Sequence, residues 1–185
     1  MKRNYYADLM TCALLSGVFL VAGCGYTTKG LIPEHIKTIK IARFTNAIDV
    51  TKEISDRTEY QVYVPGLEIQ VTKAIIDRFI FDGNLKVVTE EDAADSILTG
   101  EVIDYRKDAL RFDKDDNVEE YRVSILINMR LSDQRKGGYL WEADGFAGDA
   151  SFRLSGQFAG SESAARQSAI EDLAQRVVER AVEDW

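Results

Sequence analysis

The sequence predicts an α+β fold: a two-layer sandwich in which a mostly antiparallel or mixed sheet of four to five strands carries two amphipathic helices packed on one face. Three observations lead there. The stretch YRVSILINMRL sets Tyr121, Val123, Ile125, Ile127, Met129 and Leu131 on one side and Arg122, Ser124, Asn128 and Arg130 on the other. Only Leu126 breaks the alternation, so the sheet has one buried and one polar face. Two other stretches, one after Pro65-Gly66 and one at the C-terminus, repeat their apolar residues at helical spacing instead. The element order (strand, helix, short strand, three-strand meander, helix) leaves both helices the same apolar face to cover.

The chain opens with Lys2 and Arg3 and turns apolar from Leu9 to Ala22. A basic start, a short apolar core and small residues before a cut predict a secretory signal peptide over 1–23; the core is shorter than the roughly 20 residues a spanning helix needs. Val21-Ala22-Gly23-Cys24 resembles the bacterial lipobox, in which the cysteine becomes the lipid-bearing first residue. Of the two cysteines, Cys12 lies in the segment to be removed, so Cys24 would stand without a disulfide partner. Acylation at Cys24 explains it, because several acyl chains on one residue make a durable membrane anchor. Gly25 in place of an aspartate points to the outer membrane. Residues 24–36 then form the anchor and a short tether, and 37–185 a single domain.

Within that domain, Lys37–Phe44 reads as a first strand with Ile39 and Ile41 on one face. Residues 45–64 are a long polar loop insert. Leu67, Val71, Ile75 and Phe79, with Ala74 and Ile76 beside them, mark a helix that Gly83-Asn84 stops. Leu85–Thr89 is a short second strand, the acidic run Glu90-Glu91-Asp92 a solvated turn, and Ile97–Tyr105 a third strand with Gly100 expected at a bulge. After the alternating strand, Lys136-Gly137-Gly138 turns the chain into a fifth strand from Tyr139. The last helix carries the stripe Ala165, Ala169, Leu173, Val177 and Ala181, with Ser161 or Ser163 as its N-cap.

Composition narrows the function. The net charge is −8, and an acidic, exported domain is a poor ligand for nucleic acid. His35 is the sole histidine; the sequence shows no zinc constellation and no serine–histidine motif around it, and a lone histidine is usually structural or at the surface. Asp113, Asp115 and Asn117 are spaced as in a calcium loop, but Val118 replaces its glycine and Ser124 its bidentate glutamate, which leaves an acidic hairpin tip. The GFAG run from Gly145 lacks the spacing and context of a phosphate loop. The sequence predicts no enzyme, no metal and no cofactor.

Three segments, CGYTTKGLIPEHIKTIKIARFTN, PGLEIQVTKAIIDRFIFDGNLKVVTEEDAADSILTGEVIDY and YLWEADGFAGDASF, resemble the LptE family of lipopolysaccharide-assembly lipoproteins in their order and spacing. The resemblance implies an outer-membrane lipoprotein that plugs the lumen of the LptD β-barrel, assists that barrel's assembly and helps pass lipopolysaccharide to the surface. On that reading Arg122, Ser124, Asn128 and Arg130 would face the polar interior of the barrel. Lipopolysaccharide is anionic and the domain acidic, so a direct contact would fall to Arg106, Lys107, Arg111 and Lys114 on one hairpin, or Arg135 and Lys136 on the other. The sequence departs from the family in the length of its 45–64 insert.

The rival reading is an outer-membrane lipoprotein that activates a peptidoglycan synthase. About a dozen residues separate Cys24 from the first strand, at most ~3.3–3.6 Å each. So short a tether favours a partner at the membrane.

Overall fold

The computed structural model describes residues 32–49, 59–61 and 64–183. The signal peptide, Cys24 and most of the tether lie outside the described residues.

Among the described residues, seven strands form one mixed sheet: β1 (Thr38–Ile41), β2 (Thr45–Asn46), β3 (Glu59–Gln61), β4 (Lys86–Val87), β5 (Ser96–Phe112), β6 (Val118–Asp133) and β7 (Tyr139–Arg153). The main path runs β4-β1-β5-β6-β7. β5, β6 and β7 are an antiparallel meander of long strands. β1 is parallel to both β4 and β5. Helices α1 (Leu67–Asp82) and α2 (Glu162–Glu183) pack together on the apolar face, as the sequence predicts.

The 45–64 segment differs from expectation. It is not a plain loop, because β2 and β3 lie within it and both pair with β5, β2 in parallel and β3 antiparallel. β5 outruns β1 by many residues, and these short strands continue its edge. That raises the strand count above the four to five expected: two- and three-residue strands have no room to show a period.

Gly100 is not at a bulge either. It pairs in register with Met129, and it is glycine because the Phe44 ring lies on it: a Cβ there would stand 2.3 Å from Phe44 Cε1 and 2.8 Å from the Asn128 carbonyl oxygen. Within Ile97–Tyr105 the register shift falls between Val102 and Asp104 instead, which leaves Ile103 unopposed. β5 also continues well past Tyr105, to Phe112.

α1 begins at Gly66, in the left-handed region and without a side-chain cap, and ends at Gly83, whose amide donates to the Phe79 carbonyl. Its stripe of Leu67, Val71, Ile75 and Phe79 is buried, each side chain worth about 1.5–3 kcal/mol against exposure. Thr72 ties it to the sheet, its hydroxyl accepting the Phe44 amide at 3.0 Å. For α2 the N-cap is Ser161, whose Oγ accepts the Ala164 amide. Gly148 lets this helix lie directly on β7: a Cβ there would meet Leu173 Cβ at 2.4 Å and the Ala169 carbonyl oxygen at 2.6 Å. The GFAG run therefore serves helix packing.

Candidate functional site

The helices cover one face of the β5–β6–β7 ribbon; its other face is a ladder of polar side chains joined across the strands. Register places Thr99, Arg130 and Glu142 in one row, and Arg130 Nε lies 3.6 Å from Glu142. In the next, Asn128 donates to Glu101 Oε1 at 3.0 Å and accepts the Gly145 amide at 3.0 Å. Ser124, buried, donates to Asp149. Glu120 lies between Arg111 Nε at 3.8 Å and Arg153 Nε at 3.6 Å. Arg122 is exposed opposite Asp108 and Ser151. The four residues assigned to this face, Arg122, Ser124, Asn128 and Arg130, are thus on it, and three are held by neighbours. Such a surface is pre-organised for hydrogen bonding to a polar partner. A shallow trough of about 340 Å³ indents it between Arg43 and Arg130, floored by Ala42, Thr99 and Gly100.

The six cations assigned to lipopolysaccharide do not converge. Arg106, Lys107, Arg111 and Lys114 sit towards the β5–β6 tip, Arg135 and Lys136 in the β6–β7 turn at the other end of β6. Arg106 lies opposite Ser124, nine positions along β6 from its end at Asp133, so even the nearest members of the two groups stand about 30 Å apart. Nor do they share a face. Arg106 pairs with Asp104 at 3.0 Å on the polar side. Lys107 reaches under the sheet to Glu162 at 2.8 Å and lies over the Tyr121 ring. Arg111 is engaged by Glu120 and Arg135 by Asp95, while the side chains of Lys114 and Lys136 are exposed. The tip itself is acidic and ordered by Asp113, whose carboxylate accepts the amides of Asp115 and Asn117. The Asn117 amide leads the contacts that hold its pKa below the usual carboxylate range.

At the opposite end lies a cluster that the sequence does not reveal. Asp95, 6 % exposed, accepts the amides of Lys37 and Thr38 at 3.0 Å each and Arg135 Nε at 2.6 Å. These contacts, led by the Lys37 amide, outweigh burial and hold its carboxyl far below the ordinary range. Asp133, 4 % exposed, lies 2.7 Å from His35 Nε2 and accepts the amides of Arg135 and Lys136. Burial draws its pKa upward, but the His35 contact and the two amides prevail and the net shift is downward. The single histidine is a structural partner here. Among the described residues no group of three or more histidine, cysteine or acidic side chains is placed to hold a metal ion, and no described helix is long and apolar enough to cross a membrane.

The described residues thus form a one-faced sheet with a two-helix cover and a polar, cross-linked second face. The family model for LptE, described as lipopolysaccharide-assembly, matches residues 36–182, and the chain belongs to that family. It is accordingly a protein of lipopolysaccharide assembly. No curated protein matches it. Among solved structures, a PelC dodecamer from Paraburkholderia phytofirmans is similar at 14 % identity and a TM-score of 0.48, over 85 % of this chain and 96 % of that one. A hypothetical protein from Chlamydia trachomatis is similar at 11 % and 0.49, over 79 % and 98 %. Rare lipoprotein B from Shewanella oneidensis is similar at 12 % and 0.41, over 77 % and 89 %.

Proposed function

We propose that the chain is an outer-membrane lipoprotein, anchored through Cys24, that plugs the lumen of an LptD-type β-barrel and assists the assembly of that barrel and the passage of lipopolysaccharide. The observation that carries this reading is the free face of the β5–β6–β7 ribbon. A large barrel has a polar interior, and a plug needs a rigid surface of fixed donors and acceptors to meet it. The ladder from Thr99–Arg130–Glu142 to Arg111–Glu120–Arg153 supplies one along most of the ribbon. The role asked of this surface is binding and requires no reaction centre.

The engagement of Arg106, Lys107, Arg111 and Arg135 by carboxylates of the same chain makes scaffolding their first role, and leaves Lys114 and Lys136 as the cations free to meet an anionic lipid headgroup. A photo-crosslinking residue at Arg122 or Asn128, in cells, tests the docking face. Crosslinks to a large β-barrel from these positions, and none from Gln167 on the helix layer, are expected; the reverse pattern would refute the assignment.

A further inference from the structure

β7 ends the sheet, so one of its edges faces no other strand among the described residues. An open edge of this length is a template for another chain, yet three of its outward main-chain groups are occupied. In an antiparallel pair, alternate residues turn their amide and carbonyl away from the neighbour, and Ala147 and Asp149 are of that set. The Asp149 amide donates to Asp172 Oδ2 at 3.0 Å, and the Ala147 carbonyl accepts from the Arg176 guanidinium. Both partners come from α2, one turn apart and 3.9 Å from each other. A carbonyl and the amide two residues on are the two groups that one residue of an adjoining parallel strand would satisfy. Nearer the end of β7, the Arg153 carbonyl accepts the Gly160 amide at 2.9 Å, from the segment that leads into α2. Arg176 also lies over the Phe146 ring, which fixes its direction.

We infer that Asp172 and Arg176 form a guard that stands in for a strand and keeps the β7 edge from pairing with the β7 edge of a second copy of this chain. A second copy fits because the strand is one-sided: Phe146, Gly148 and Ala150 belong to the apolar face, Asp149 and Ser151 to the polar face. Two such edges related by a two-fold axis perpendicular to the sheet would pair antiparallel, apolar against apolar and polar against polar. That pairing too would need the outward Asp149 amide and Ala147 carbonyl that the guard occupies.

The test is light scattering on the full chain in detergent over a wide concentration range, for wild type and for D172A/R176A. Wild type keeps one protomer mass, whereas the double variant doubles in mass as concentration rises. Adding D149P, which deletes the outward amide at an edge position where proline is tolerated, restores the single mass. A double variant that stays at the wild-type mass, or association that survives D149P, overturns the inference. A mass increase that is not a whole protomer would assign the edge to a foreign strand and overturn the second-copy assignment. Should the double variant not fold, R176Q and amide exchange at Asp149 in D172A read the same contacts: exchange at least tenfold faster is expected, and unchanged exchange excludes the guard.

Discussion

The Asp95 carboxylate lies 2.6 Å from Arg135 Nε, joining the start of β5 to the β6–β7 turn, and with its other oxygen it accepts the amides of Lys37 and Thr38 at the start of β1. One buried side chain thereby fixes three segments where the chain enters the domain. The Arg135 side chain is 62 % exposed, so its half of the contact is worth at most about 1 kcal/mol. The two amides are the larger matter, since a buried donor left without a partner costs about 1–3 kcal/mol. D95A is therefore expected to destabilise the domain several times more than R135A in denaturant titrations. Equal losses would show that the ion pair, and not the amides, carries the contact.

Acid should act through the same cluster. The carboxyls of Asp95 and Asp133 ionise more readily in the folded chain than in the unfolded one. Their contribution is complete above the unfolded value of about 4 and is lost as pH falls below it. Unfolding midpoints should hold steady at neutral pH and drop steeply under pH 4. In D133N that slope should be shallower, with a lower plateau at neutral pH.

At the other extreme, burial first and the Glu162 carboxylate second raise the Tyr105 phenol to about 12. Its hydroxyl donates to Glu162 Oε1 at 3.1 Å, which binds β5 to the first turn of α2. A raised folded pKa means stability that is whole below about pH 10 and lost as pH climbs through the folded value. Tyrosinate absorbance should show one phenol that titrates late, and Y105F should lose that late step together with part of the alkaline unfolding.

Gly148 admits no side chain, because the neighbours a Cβ would meet include the Ala169 carbonyl oxygen and the Leu173 amide, both helix backbone at 2.6 Å. G148A should cost about 1–3 kcal/mol by forcing α2 off β7, and loosen the Asp172 and Arg176 contacts with it. Hydrogen exchange would register this as faster exchange along the middle of α2, with β5 little changed. A wild-type midpoint for G148A would contradict the close packing of helix on strand.

Periodicity made the buried stripes of both helices and the two faces of β6 legible, since burial repeats there every three to four residues or every second one. It could not reveal β2, β3 or the shift at Ile103, which depend on what β5 pairs with. Gly100 drew attention correctly as a special position but for the wrong reason, because the ring that fills its space is on Phe44. The Asp95, Asp133, Arg135 and His35 cluster joins residues as far apart in sequence as 98 positions, and no local signal marks it. Lys107 and Arg135 looked available for an anionic ligand only because their partners, Glu162 and Asp95, also lie far along the chain.

The account's central claim is that the polar ribbon face meets the inside of a barrel. Its most direct measurement is affinity capture of the full chain from detergent-solubilised outer membranes, with wild type compared against a variant carrying charge reversals at Arg122 and Arg130. A large, heat-modifiable β-barrel recovered in near-equal amount with wild type, and lost with the variant, is the predicted result. Recovery of a glycan synthase in its place, or of the barrel undiminished by the reversals, would contradict it.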